Sequence, residues 1–281
     1  MEVTVYCVSS FTANGKGGNP AGVVLDAQNL SEQQMLYVAA EMGFSETAFL
    51  SASEDADYRV RFFTTTGEVD LCGHASIASW FLLKHLGKIV DGVYLQETNA
   101  GLLSVQIIND LTYMQQTQPD FAEMVSVPDV AHVLNIHESD FSETLRPQIV
   151  STGLRDLIVV LNNEEVLNAI QPNFEAMARL SDTHKIIGLH VVAMLYDSNS
   201  LVAARNFAPL VGIDEESATG TSNGALLCYL RNNNVLPERQ EYRIEQGKAM
   251  NCTSYIFGKF HEGIVWVGGK ATLVEQKQVQ L

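Results

Sequence analysis

Asp70-Leu-Cys-Gly-His-Ala-Ser-Ile-Ala-Ser-Trp-Phe-Leu-Leu83 decides how the rest of the chain is read. It opens on a Cys-Gly-His turn and runs into residues 75–83, where Ser76 and Ser79 are the only polar side chains and both are small. A helix that is apolar on every side has no solvent face, so other structure must cover it all round. A thiol and an imidazole at the start of such a helix mark a polar site at the edge of a core.

The same design returns in the second half. Arg61-x-Phe63, a loop, Gly73 and the apolar run are matched by Arg205-x-Phe207, a loop three residues longer, Gly220 and a second apolar run through Leu230. The two glycines stand 147 positions apart in a chain of 281, which points to two related domains. Chance is the competing reading, since glycine before an apolar helix is common.

Between these helices the sequence is mostly strand. β-branched and aromatic content predicts strands at 3–9, 23–25, 58–63, 93–97, 102–108 and 111–117, then at 148–152, 157–161, 186–195, 201–207, 242–245, 254–260, 264–267 and 271–274. Ser31-Glu-Gln-Gln34 has capping-box spacing ahead of an apolar stripe that Gly43 ends. Further helices are expected at 130–134, 164–170 and 174–180. Many strands with one fully apolar helix per half imply an α+β fold, each half a barrel-like, mostly antiparallel sheet around a central buried helix. The change of character at 119–128 divides the chain into a first domain, 1–118 plus 265–281, and a second, 119–264.

Composition narrows the function. The chain is 46% hydrophobic and 18% charged, with mean hydropathy +0.04. Its net charge of −16 and pI near 4.7 repel polyanions, so nucleic acid and anionic membranes are poor partners. A small metabolite is the expected partner and a homodimer the default assembly. The start lacks a basic segment followed by an apolar one, and no apolar run is long enough for a membrane span, so the expected location is cytoplasmic. Cys7, Cys72, Cys228 and Cys252 are scattered without a C-x-x-C pair, as suits reduced thiols. No H-E-x-x-H occurs, and His132 and His137 are five apart, so neither a metal nor a cofactor is expected.

Three polar segments remain as candidates for chemistry. Asn14–Gly22 is glycine-rich but is followed by a strand, which rules out a dinucleotide fingerprint; it is either a flexible hairpin loop or a segment that brings Asn19 to a ligand. In the strand-like run from Phe44 to Leu50, period-2 geometry puts Glu46 on a face with Phe44 and Ala48. Such a carboxylate is on a wet edge or in a low-dielectric site, the first being commoner. Gly73/His74 and Gly220/Thr221 each start a helix, whose N–H groups suit a carboxylate.

Gly18-Asn-Pro20, Gly43-Phe-Ser-Glu-Thr-Ala-Phe49, Cys72-Gly-His-Ala75 and Ala218-Thr-Gly-Thr221 together resemble the signature segments of the phenazine-biosynthesis PhzF family, which shares the diaminopimelate-epimerase fold. The resemblance runs through nearly the whole chain. It implies two pseudo-symmetric domains with an active site in the cleft between them. It also implies a cofactor-independent isomerase with Glu46 as proton-transferring acid/base and His74 assisting. The family pattern Glu-Asp-Pro-x-Thr-Gly is here Glu215-Glu-Ser-Ala-Thr-Gly220, so Glu216 replaces an aspartate and Ser217 a proline, while Thr221 stands where serine is usual. The candidate set is therefore Glu46, His74 and Glu216 for catalysis, with Asn19, Gly73, Gly220 and Thr221 for a small carboxylate-bearing substrate. Two other readings stay open: a metabolite-binding or oligomerising homologue without activity, and an amino-acid epimerase or racemase. The related epimerases use one cysteine from each half, but the counterpart of Cys72 is Thr219, whose hydroxyl is too weak a base. That disfavours two-thiol racemisation and makes Cys72 a packed small residue.

Overall fold

The computed structural model describes residues 1–196 and 198–281. Chain contacts divide it into two units, Met1–Gln115 with Gly268–Leu281, and Gln116–Val267.

In the first unit the order is β1 (Glu2–Ser10), β2 (Asn19–Val24), α1 (Glu32–Met42), β3 (Thr47–Ser51), β4 (Tyr58–Phe63), β5 (Glu68–Val69), α2 (Gly73–His85), β6 (Gly92–Thr98), β7 (Gly101–Ile108) and β8 (Leu111–Gln115). Val3, Val5 and Cys7 of β1 point inward at alternate positions, the pattern that fixes a strand's register. β1 lies antiparallel to β2, and β2 runs parallel to β3 across α1. β3 is antiparallel to β4, β4 parallel to β6 across α2, and β6–β7–β8 form a meander.

The second unit contains β9 (Asp120–Met124), α3 (Val127–Leu134), β10 (Gln148–Ser151), β11 (Arg155–Leu161), α4 (Glu164–Ala169), α5 (Phe174–His184), β12 (Gly188–Met194), β13 (Val202–Ala208), β14 (Ile213–Glu216), α6 (Gly220–Asn232), β15 (Tyr242–Gln246) and β16 (Ser254–His261). β17 (Ile264–Gly269) follows, and β18 (Ala271–Gln280) pairs antiparallel with β1. The pairing order of the first unit recurs here. β10 is antiparallel to β11, β11 parallel to β12 across α4 and α5, β12 antiparallel to β13, β13 parallel to β15 across α6, and β15 antiparallel to β16.

The apolar helix of the opening stretch is α2, and β1, β2, β3, β7, β8 and β18 all touch it. Ile77, Trp80, Leu82 and Leu83 are wholly buried, each burial contributing about 1.5–3 kcal/mol. The indole N–H of Trp80 donates to Gln96 Oε1 at 2.7 Å, so this large side chain leaves no polar atom unsatisfied. α6 is buried in the same way from Ser222 to Leu230 and touches β10, β11, β12 and β16. No helix among the described residues is long and apolar enough to cross a membrane.

Three segments differ from the sequence reading. β2 begins at Asn19, so the end of the glycine-rich segment is strand; a Cβ on Gly18 would meet Ser10 O at 2.3 Å, which explains that glycine. The segment 208–216 contains a short 3₁₀ turn and β14, and 119–128 contains β9. Both strands are short and rich in acidic residues, which hides the alternation that normally reveals a strand.

Candidate functional site

Glu46 is not on a strand face with Phe44 and Ala48. Gly43 adopts the left-handed conformation (φ 68°) that ends α1, residues 44–46 turn the chain, and β3 begins only at Thr47, opposite Gly22 of β2. This short turn presents Glu46 toward the head of α2. Its Oε2 lies 3.3 Å from His74 Nε2, with 19% of the Glu46 side chain and 7% of the His74 side chain exposed.

His74 is the second residue of α2 and is held from several directions. Ser10 Oγ donates to its backbone carbonyl at 2.7 Å. On the ring, Asn19 Nδ2 and Cys72 Sγ both stand 3.4 Å from Nδ1, while Ser45 Oγ stands 3.4 Å from Nε2. Asn19 comes from the first residue of β2 and Cys72 from the residue before α2, so three separate chain segments converge on one imidazole. Gly73 is not demanded by packing, since an added Cβ would meet nothing nearer than Met114 Cε at 3.7 Å. No side chain caps α2, and its first turn has no acidic residue, which leaves its amides and partial positive charge available to an anion.

In the second unit Glu216 ends β14, while Gly220 and Thr221 open α6. This helix is also without a side-chain cap or an acidic residue in its first turn. The Thr219 hydroxyl donates to the Glu216 carboxylate, and Gln246 Nε2 donates to Glu216 O at 2.9 Å and to Thr219 Oγ1 at 3.1 Å. Behind them lies a buried chain that the sequence reading missed. Asn223 Nδ2 donates to Gln246 Oε1 at 2.9 Å, and His190 Nε2 donates to Asn223 Oδ1 at 3.0 Å. Asn206 Nδ2 serves His190 Nδ1 at 3.2 Å and Ser222 Oγ at 3.1 Å, and Ser222 donates to Asp156 Oδ2 at 2.6 Å. Burial pushes the Asp156 carboxyl up to about 7, against the pull of its bonds from Ser222 and the Gly188 backbone. Burial pushes His190 down to about 4, so it is a neutral imidazole with both nitrogens bonded.

Residues 8–277 match the PhzC-PhzF family of phenazine biosynthesis-like proteins. The chain belongs to that family. It is 36% identical over 239 residues to an uncharacterized isomerase of Clostridium acetobutylicum, covering 82% of this chain and 79% of that one. It is 34% identical over 244 residues to the uncharacterized isomerase YddE of Escherichia coli, covering 84% and 82%. A PhzF-family phenazine biosynthesis protein from Bacillus anthracis superposes with a TM-score of 0.90 at 28% identity, with both chains covered completely. The protein is thus an isomerase of the PhzC-PhzF family.

In this PhzC-PhzF isomerase, Asn19, Glu46, Gly73 and His74 stand together in the first unit, and Glu216, Gly220 and Thr221 stand together in the second. The sequence reading missed the contacts that Ser45 and Cys72 make with His74. Ser45 is visible in the sequence as the neighbour of Glu46, whereas Cys72, which the sequence marks as a packed small residue, also contacts the His74 ring. His190 also carried a signal, as an ionisable residue inside an apolar strand.

Proposed function

We propose that the protein is a cofactor-independent proton-shift isomerase acting on a small carboxylate-bearing substrate. Glu46 removes a proton from a carbon next to an activating group and returns it at a second position. The observation that carries this reading is the pairing of Glu46 with His74 at the uncapped head of α2. A carboxylate beside an imidazole and helix N–H groups can take up a proton while developing negative charge on the substrate is met by donors. His74 steadies that charge, and Asn19 and the amides from Gly73 onward hold the substrate carboxylate.

The proposal extends to the second unit as a related half of a duplicated fold, with Gly220 and Thr221 supplying amides and Glu216 a second carboxylate. Shared pairing order and twin uncapped helices support that extension. So does an ion pair found in both units: Arg61 grips Glu68 through two bonds of 2.7 Å, and Arg205 grips Glu215 through two of 2.8 Å. Each arginine also lies over the phenylalanine two residues on, at 5.1 Å and 4.9 Å. Thr219 occupies the N-cap place that Cys72 holds in α2, and its hydroxyl is engaged with Glu216, which disfavours a two-thiol racemase.

The test is deuterium incorporation from solvent into a panel of cyclic carboxylates and amino acids. Exchange by the wild type that disappears in Glu46→Gln supports the assignment. Exchange that persists in Glu46→Gln overturns Glu46 as the base, and its absence from the wild type across the panel favours a binding role.

A further inference from the structure

The head of α2 gathers three different metal-ligating chemistries. The Glu46 carboxylate, the Cys72 thiol and a His74 ring nitrogen offer atoms that all lie within 4.8 Å of one another. Among the described residues this is the one grouping of three or more such side chains that close together. Spacing along the chain hides it, because Glu46 comes from the turn after α1 and the other two from the start of α2.

One edge of the grouping already has the length a small tetrahedral ion needs. His74 Nε2 stands 3.3 Å from Glu46 Oε2 and 3.9 Å from Cys72 Sγ. With zinc–nitrogen and zinc–oxygen bonds of about 2.1 Å and zinc–sulfur of about 2.3 Å, neighbouring ligand atoms stand roughly 3.3–3.6 Å apart. The oxygen–nitrogen edge already fits; the two edges to Cys72 Sγ, which stands 3.4 Å from Nδ1, have to shorten, and rotation of the Cys72 side chain is the motion that does so. The opposite ring nitrogen faces both Asn19 and Cys72 Sγ at 3.4 Å; once the thiol turns toward the ion, the Asn19 amide, turned to present its oxygen, accepts the Nδ1–H and fixes the ring for ligation through Nε2. One thiolate, one imidazole and one carboxylate select zinc over magnesium or calcium, which require a shell of oxygens. The partly exposed Glu46 gives the ion a way in.

We propose that Glu46, Cys72 and His74 form a site for zinc that reversibly inhibits the isomerase, with a water as fourth ligand. Binding releases the thiol proton of Cys72 to solvent and changes no oxidation state. The ion occupies the carboxylate lone pair that would take the substrate proton, so metal and turnover exclude each other. The inhibitory part rests on the function proposed above, whereas the binding part stands without it.

The experiment is titration of the full chain with cobalt as a spectroscopic stand-in for zinc. One equivalent should produce a thiolate-to-cobalt charge-transfer band in the near ultraviolet, and zinc should displace it. Cys72→Ser should abolish the band and weaken zinc binding at least about tenfold in competition with a chromophoric chelator. His74→Gln should weaken binding comparably, and Cys252→Ser, at the one cysteine of the four that is not buried, should change neither. Circular dichroism shows that each variant is folded. No one-to-one binding, or a band that survives Cys72→Ser, overturns the site. Zinc occupancy without loss of solvent exchange overturns the inhibition. A wild type that exchanges with no substrate refutes the proposed function instead, while the cobalt titration still reads the site.

Discussion

The heads of α2 and α6 start from one design and finish differently. Both helices are 13 residues long, follow an extended residue without a side-chain cap, and carry no acid in the first turn. In both, the fourth residue is held by a fully buried glutamine: Gln96 Nε2 donates to Ser76 Oγ at 3.0 Å, and Asn223 Nδ2 donates to Gln246 Oε1 at 2.9 Å. At α2 the ionisable groups then meet through contacts of 3.3–3.4 Å, with Glu46 partly open to solvent. Behind α6, His190 and Asp156 are sealed in a network bonded at 2.6–3.2 Å. Loose contacts leave room for protonation to change and for a ligand to tighten the geometry. A closed network resists both, because every displaced donor or acceptor would be left unsatisfied in a low dielectric.

The largest expected effect lies in the first region. Glu46→Gln should lower solvent-exchange turnover by about 10²–10⁴-fold with an unchanged melting temperature, whereas Asp156→Asn should lower it by less than about tenfold. Equal losses would erase the distinction between an open and a sealed site. Next come the twin ion pairs. Arg205 is 9% exposed and also donates to Leu167 O and Ile170 O, while Arg61 is 23% exposed. Chemical denaturation should show Arg205→Ala costing about 3–5 kcal/mol and Arg61→Ala about 1 kcal/mol.

A third prediction concerns pH and the sealed network. Folding raises Asp156 from 3.8 to about 7, so between those values the folded chain holds a proton that the unfolded chain lacks, and stability is lost as pH rises. Folding lowers His190 from 6.5 to about 4, so between those values the unfolded chain holds the extra proton, and stability is lost as pH falls. Across pH 4 to 6.5 the two slopes oppose each other and cancel. Single variants should expose them, each on the order of 1 kcal/mol per pH unit in denaturation midpoints. Asp156→Asn should lose stability as pH drops from 6.5, and His190→Gln as pH rises from 4, while the double variant is flat again. A flat profile in both single variants would refute the coupling.

The smallest effect is expected at Gly73. Gly73→Ala should change stability by less than about 1 kcal/mol, since the added Cβ meets only Met114 Cε at 3.7 Å. It should nonetheless raise the KM of a carboxylate substrate if the α2 amides approach it closely.

The strand–helix order was largely legible because it rests on local pattern. The alternation in β1, the capping box and Gly43 around α1, and the apolar run of α2 each announce their element without help from distant residues. β9 and β14 were not legible, because their acidic residues carry no burial signal until a partner strand is in place. At the site, Glu46 and His74 were identified from motifs, but the strand assigned to Glu46 was wrong, since a three-residue turn between α1 and β3 has no period to read.

Sequence alone determined that two helices with nearly all-apolar runs must be enclosed by other structure, because no solvent-facing arrangement accommodates those runs, and that each begins at a glycine beside polar side chains. Tertiary structure decided which side chains meet there. It brought Asn19, Ser45, Glu46 and Cys72 to His74, and it linked Asp156 to Asn223 through Ser222, Asn206 and His190. Those meetings depend on strand pairing between distant segments, which hydrophobic period does not encode. The chemistry of Cys72 changed most. By sequence it is a packed residue before a helix, and in the fold it stands beside an imidazole and a carboxylate, the setting on which the proposed zinc site rests.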